Sequence, residues 1–364
     1  MAKITIVGGG VIGLSIGYEC QKRGNEVTIV EAGECGGQAS GAAAGMLAPY
    51  SEIEEDPDDF FRLCQGSLQL FPEWQEEIKL VSKMDFEYSE SGSLYCIFHE
   101  ADRLSLETKQ AWQSEFGVNS TILSGDKARE KESVLSSETV AALWCPEESH
   151  IYAPDYVAAL LQACRNSGVL VMEHCGEAKL FDGETVVTNE REIKGDYTVI
   201  ATGAWSMNWE EQVKCKLPVY PIRGQICAYE GTSLNHIIFT SQGYLVAKEN
   251  GSLVAGASED IAGFDTNVTG HGIGRLEKWS KRVIPTLEAK QPFHKWAGLR
   301  PATQDGFPLI GRLNSNPRLL LAVGHYRNGI LLSPITAKII ANEIEGISQD
   351  IAIEDFRPDR FQHM

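Results

Sequence analysis

The glycines of Gly8-Gly9-Gly10-Val11-Ile12-Gly13 constrain this chain more than any other feature. Before them stands Lys3-Ile4-Thr5-Ile6-Val7, which reads as a buried strand. After them, Val11 to Lys22 reads as a helix ending near Gly24. Strand, G-x-G-x-x-G and helix together form the phosphate turn of a dinucleotide-binding unit. Gly8 permits the tight turn, Gly10 lets the main chain approach a pyrophosphate, and Gly13 lets the helix lie close on the sheet. The free N–H groups and the dipole at the helix start stabilise the phosphate charge. A second strand, Val27-Thr28-Ile29-Val30, leads to Glu31, 18 residues beyond Gly13. A carboxylate there accepts hydrogen bonds from ribose hydroxyls and repels a 2′-phosphate.

The 364 residues are too many for one small core. Changes of pattern divide them into two interleaved domains, an α/β class of fold. A Rossmann-like, parallel-sheet nucleotide domain is expected from residues 1–84, 150–218 and 297–364. A mostly antiparallel α+β substrate domain is expected from residues 85–149 and 219–296. The acidic stretch from Glu52 to Asp59 reads as the approach to a surface helix starting at Asp58 or Asp59, with Phe60, Phe61 and Leu63 inward; a lid is the alternative. Further along, the patterns predict a helix over about 155–167, a strand over 169–172 and a buried strand over 196–204. Antiparallel strands follow over 219–260, then a strand over 319–323 and a last helix from about Asn328 to Ile344.

Charge and cysteines narrow the partners. A net charge of −18 opposes nucleic acid and anionic lipid, and it obliges any anionic substrate to meet a local positive group. No run approaches the roughly 18 apolar residues of a membrane span. The first strand begins almost at Met1, which leaves no room for a secretory leader, so a cytoplasmic protein is expected. The nine cysteines, Cys20, Cys35, Cys64, Cys96, Cys145, Cys164, Cys175, Cys215 and Cys227, include no C-x-x-C pair. They read as reduced, mostly buried thiols that supply no metal site.

The fingerprint alone does not separate NAD from FAD. Three features favour FAD. Only one fingerprint exists. The small-residue run Ala39-Ser40-Gly41-Ala42-Ala43-Ala44-Gly45-Met46 gives an extended cofactor a close path along the main chain. Finally, Gly324-His325-Tyr326-Arg327-Asn328-Gly329-Ile330 opens the last helix, where N–H groups can face the side of an isoalloxazine that gains negative charge on reduction. Arg300 is a carboxylate-binding candidate on its own chemistry, since a guanidinium pairs with a carboxylate through two parallel bonds. A structural salt bridge is its alternative.

Trp296-Ala297-Gly298-Leu299-Arg300-Pro301, Asp305-Gly306, Ile310-Gly311 and Gly324 to Leu331 resemble the D-amino-acid oxidase superfamily of FAD-dependent enzymes. Ala42-Ala43-Ala44-Gly45-Met46-Leu47 is similar to its bacterial glycine-oxidase branch, which serves thiamine biosynthesis. The likeness covers nearly the whole chain and is thin from about 100 to 150. It implies that Gly8, Gly10, Val11, Ile12 and Gly13 cover the pyrophosphate, and that Glu31 and Ala32 take the ribose. It further implies that Ala39, Ser40, Ala44, Gly45 and Met46 line the cofactor's path. Glu177 would sit at the adenine side, where the family has an aliphatic residue. His325, Tyr326, Arg327, Asn328, Gly329, Ile330 and Leu331 would wrap the flavin. Arg300 would hold the substrate carboxylate, with Tyr244 and Arg327 beside it and Met46 and Ala48 near the pocket; taken alone, Tyr244 and Arg327 read as packing or capping residues.

The chain departs from the family at Glu259, where an apolar residue is expected, at Ala48-Pro49-Tyr50, and at Gln242 in place of a histidine. The resemblance implies oxidation of glycine with dioxygen to glyoxylate, ammonia and hydrogen peroxide, by hydride transfer from Cα to flavin N5. It also implies a homotetramer. No cysteine falls in the C-terminal block, so FAD is expected to be non-covalent. Alternatives are an oxidase of sarcosine or small D-amino acids, a quinone-linked dehydrogenase, and a non-catalytic flavin sensor.

Overall fold

The computed structural model describes residues 1–53, 57–181 and 184–362. Glu54 to Asp56, in the acidic stretch, and the last two residues of the chain lie outside these. Strand β1 (Lys3–Val7), helix α1 (Val11–Lys22) and strand β2 (Glu26–Val30) form the expected β-α-β unit. They belong to a six-stranded sheet in the order Leu309–Leu313, Asn316–Val323, Tyr197–Ile200, β1, β2, Leu170–Met172. Five strands are parallel, and Leu309–Leu313 is an antiparallel edge.

These strands are mostly apolar, with buried residues on both faces, because both faces of the sheet are covered. Ile4, Ile6, Val199 and Leu320 enter a core shared with α1 and the helices Asp59–Ser82, Ala153–Asn166 and Ser333–Glu345. Their neighbours Val7, Ile200, Leu319 and Leu321 enter a second core with Val186, Leu180 and Ile193 of a three-stranded meander. Burying each such Leu or Ile contributes about 1.5–3 kcal/mol.

The helix Asp59–Ser82 begins where the acidic stretch predicts. The Asp58 carboxylate accepts the Phe61 N–H at 2.9 Å and caps it. Phe61 and Leu63 are buried, and Phe60 stacks on Phe307 with ring centroids 5.6 Å apart. The last helix departs from expectation: it starts at Ser333, not Asn328. Pro334 is the reason. Its ring would clash with a helical carbonyl four residues back, so it sits in the first turn, where its missing N–H costs nothing. Residues 325–332 instead make two successive turns, through Asn328 N–H to His325 O and Leu332 N–H to Asn328 O.

The second sheet has eight strands in the order His294–Thr303, Val219–Glu230, Ser252–Gly256, Gly243–Ala247, Ile237–Thr240, Ser93–Ile97, Ala141–Cys145, Thr121–Ser124. Every pairing is antiparallel except that of Ile237–Thr240 with Ser93–Ile97. Strand His294–Thr303 runs unbroken through residues 296 and 297 and carries Arg300. The amphipathic helix Gly270–Val283 lays Ile273, Leu276, Trp279 and Val283 on this sheet. Thr269 caps it, accepting the Gly272 N–H at 3.1 Å. All nine cysteines are free, and all but the half-buried Cys35 are buried.

Candidate active site

The phosphate turn is built as its glycines require. Gly8 has φ +111°, and a side chain there would strike the Ala201 carbonyl. One at Gly13 would strike the Gly8 carbonyl, so only glycine lets α1 approach β1 this closely. Val11 N–H donates to Ser40 Oγ at 2.9 Å and Leu14 N–H to Gly10 O at 2.9 Å. The N–H groups of Ile12 and Gly13, which no intrahelical acceptor can reach, are left for a ligand. Glu31 is oriented at the turn: its carboxylate accepts the N–H of Gly9 at 2.7 Å and of Gly33 at 2.9 Å. Each oxygen keeps a lone pair for a hydroxyl.

One continuous cavity of about 970 Å³ runs from this turn into the eight-stranded sheet. Of the residues expected along the cofactor, Gly10, Val11, Ile12, Ala39, Ser40, Ala44, Gly45, Met46, His325, Tyr326, Arg327, Gly329 and Ile330 line it. Asn328 and Leu331 are buried beneath the same loop. Glu177 is exposed and off the lining, although Gly176 before it donates its N–H to Ala32 O at 3.3 Å. Burial holds the His325 imidazole down at about 3, so it stays neutral; its Nε2 lies 3.1 Å from Thr336 Oγ1.

Arg300, Tyr244 and Arg327 all line this cavity, Arg327 as an exposed side chain. The Arg300 guanidinium donates to Ser258 O at 3.0 Å and lies over Gly224. Among the described residues it makes no ion pair, so the salt-bridge alternative does not hold. The loop that would wrap a flavin is tied beside it, because Tyr326 N–H donates to Pro301 O at 2.9 Å. Burial pushes the Tyr244 phenol well above its ordinary range, which keeps it a neutral hydroxyl facing the cavity.

The sequence matches the FAD dependent oxidoreductase family known as DAO over residues 3–343. The chain belongs to this family. It is 33% identical over 352 residues to the glycine oxidase of Geobacillus kaustophilus, covering 94% of this chain and 92% of that relative. The crystal structure of a Geobacillus kaustophilus glycine oxidase superposes with a TM-score of 0.95 at 30% identity, covering 99% of both chains. A bifunctional ThiO/ThiG protein of Synechocystis is 32% identical over 372 residues; the match covers 98% of this chain and 54% of that relative, so the chain spans about half its length.

The DAO-family cavity fits FAD on its own observations. Free N–H groups of α1 wait at the pyrophosphate end, and small residues from Ala39 to Gly45 keep the path open; the carboxylate of Glu31 is fixed at the turn by Gly9 N–H, although neither it nor Ala32 lines the cavity. At the far end Gly329 and Ile330 present main chain to the cavity ahead of the helix, in a turn rather than in its first helical turn.

Two expectations about the substrate end are corrected. Ala48 does not line the cavity; it is buried in a core with Ile226 and Phe239. The short helix Pro49–Glu52 turns the chain there and presents Glu52 instead. Glu52, read from sequence as part of a surface stretch, lines the cavity. Burial pushes its carboxyl up to about 7, against the opposing pull of Arg327 and Arg300. Buried groups of the substrate domain pin this wall. Glu148 accepts the Ser51 N–H at 2.7 Å and hydroxyl at 2.6 Å, Lys109 Nζ donates to Ser51 O at 2.7 Å, and Gln113 Nε2 to Tyr50 O at 2.7 Å. No local motif announces this, because the three partners lie 58 to 97 residues away in sequence and meet this wall only through the fold of the substrate domain.

Arg327 lines the cavity as expected, but it is not unpaired there. Its guanidinium is bonded to Glu259, and Glu259 Oε1 also accepts the Tyr326 hydroxyl at 2.5 Å. Burial would raise the Glu259 carboxyl, but Tyr326 and Arg327 hold it below the usual range, so it is ionised. Arg300, in contrast, has no carboxylate partner among the described residues. At the rim, Arg275 and Lys278 of the helix Gly270–Val283 also line the cavity and make no ion pair among the described residues. They supply the local positive field that a chain of −18 needs.

Proposed function

We propose that this protein is an oxidase of glycine and comparably small amino acids. The carrying observation is Arg300, an arginine without a carboxylate partner among the described residues, at the inner end of a cavity that fits FAD. A substrate carboxylate would pair with its fork, and the Tyr244 hydroxyl would orient the substrate beside it. The chemistry that bound FAD would supply is two-electron oxidation at the substrate Cα, with dioxygen as the final acceptor. For glycine the balance is glycine, water and dioxygen to glyoxylate, ammonia and hydrogen peroxide.

The chain's own residues bind and orient. The carboxyl groups lining the cavity, Glu52 and Glu259, set the field around the substrate rather than serve as an obligatory base. Similarity to glycine oxidases over nearly the full length supports the glycine reading. Similarity to a ThiO/ThiG protein supports supply of the imine or glyoxylate to thiazole synthesis in thiamine biosynthesis. We infer that FAD is held non-covalently, since no cysteine lines the cavity among the described residues. A homotetramer and the substrate contacts of Arg300 and Tyr244 belong to the same proposal. Peroxide release measured with glycine, sarcosine and D-alanine tests it. Turnover of glycine supports the reading; no peroxide from any of the three refutes it.

A further inference from the structure

We propose that Glu259 is a specificity-determining residue: by occupying Arg327 it makes this pocket refuse substrates that carry a second carboxylate. This rests on the amino-acid oxidase reading and names its substrate class as amino acids with one carboxylate and a neutral substituent.

Three observations converge. First, Glu259 is carried on a loop tied by several hydrogen bonds. Ser258 N–H donates to Gln225 O at 3.1 Å, and Arg223 and Asp260 exchange main-chain bonds at 3.0 and 2.9 Å. The Ser258 hydroxyl adds a bond to Asp260 Oδ2 at 2.7 Å. The same loop holds Arg300 through Ser258 O, so the positions of Arg300 and Glu259 are coupled. Second, the Arg327 guanidinium is engaged by Glu259 on one side, and the Tyr326 ring lies 5.2 Å from its Cζ on the other. The Tyr326 hydroxyl also bonds Glu259, so this carboxylate joins the flavin-side loop to the substrate-side loop across the cavity. Third, both groups line the cavity that contains Arg300.

The charges then decide what enters. Arg327 and Glu259 cancel, and Arg300 is satisfied by one substrate carboxylate. A second carboxylate has to sit beside Glu259 or break its pair with Arg327. Glu259 and Arg327 are each 44% exposed, so solvent moderates the repulsion, but a second carboxylate beside Glu259 still meets a like charge and finds Arg327 already engaged. A methyl or hydrogen in the same place meets neither penalty. Were Glu259 neutral, Arg327 would become a second carboxylate clamp.

The test uses matched pairs on the FAD-loaded enzyme, in wild type, Glu259→Gln and Glu259→Leu. Sarcosine and iminodiacetate differ by one carboxylate, as do the unreactive ligands acetate and malonate, whose binding is read from the flavin absorbance. Wild type should favour sarcosine over iminodiacetate by at least about tenfold in kcat/KM, and acetate over malonate likewise. Glu259→Gln, which keeps an acceptor for Tyr326, should shrink both ratios about tenfold, mainly through a lower KM for iminodiacetate. A merely structural latch would instead lower flavin retention or thermal stability and leave the ratios unchanged. Unchanged ratios in both variants, or wild-type malonate binding as tight as acetate binding, overturn the proposal. Should no amino acid be oxidised at all, the oxidase reading fails, while the acetate and malonate titrations still decide the role of Glu259.

Discussion

Gly224 offers a sharp perturbation of the substrate end, because Gly224→Ala adds one methyl group directly beneath Arg300. An added Cβ would lie 2.6 Å from Cζ, Nη1 and Nη2 of that guanidinium. Comfortable contacts of this kind are about 3.5 Å or more, so the guanidinium has to move by roughly 1 Å. It would then lose alignment with Ser258 O, now 3.0 Å away, and with a bound carboxylate. Losing one hydrogen bond to a charged group costs about 1.5–3 kcal/mol, which is roughly 10- to 150-fold in affinity. Gly224 lies in the strand Val219–Glu230, opposite Gly298, and its φ is not in the left-handed region. Alanine in a strand is favoured over glycine by about 0.5–1 kcal/mol, so the fold should not weaken. The assay is steady-state oxidation of glycine, with acetate binding and a thermal melt on the same samples. The expected result is a KM and an acetate Kd raised by more than about tenfold, with Tm unchanged or slightly higher. An unchanged KM and acetate Kd would remove Arg300 from the role of carboxylate anchor. A large fall in Tm would assign Gly224 to packing instead.

Other consequences follow from the same geometry. Glu52 has a folded pKa raised by burial to about 7, so its contribution to stability is complete below its ordinary range and lost as pH rises through about 7. Glu52→Gln should therefore raise Tm near about pH 8.5 and change it little near about pH 4.5; thermal melts at both values check this. The ionised Glu52 also repels a carboxylate on Arg300, so acetate affinity should fall through about pH 7 in wild type and flatten in the variant. Reversing the rim charges with Arg275→Glu and Lys278→Glu should weaken acetate binding about two- to fivefold at low salt, with the difference gone near about 1 M salt. An effect independent of salt would count against electrostatic recruitment. Acid precipitation should leave all the yellow colour in the supernatant, and colour kept in the pellet would mean a covalent flavin.

The nucleotide half was legible because its constraints are local. Gly8, Gly13 and Glu31 lie within one β-α-β unit, where the two glycines permit the tight turn and the close helix and Glu31 is held at the turn by Gly9 N–H. The alternation of Leu319, Leu320 and Leu321 between two cores likewise follows from strand geometry alone. The start of the last helix was misjudged where the small and polar residues from Asn328 mimic a helix opening, while Pro334 sets the true start. At the substrate end, Arg300 was readable from its chemistry. Glu52 was not, because its burial depends on Lys109, Gln113 and Glu148, which only the second sheet brings together. The Glu259–Arg327 pair joins loops 68 residues apart, and no sequence period encodes such a contact.

The central claim is that this chain couples an amino acid on Arg300 to FAD chemistry. Anaerobic addition of glycine to the purified FAD-loaded protein tests it most directly. The flavin absorbance should bleach, air should restore it, and glyoxylate and hydrogen peroxide should be found in equal amounts. A flavin that stays oxidised in the presence of glycine, sarcosine and D-alanine would contradict it.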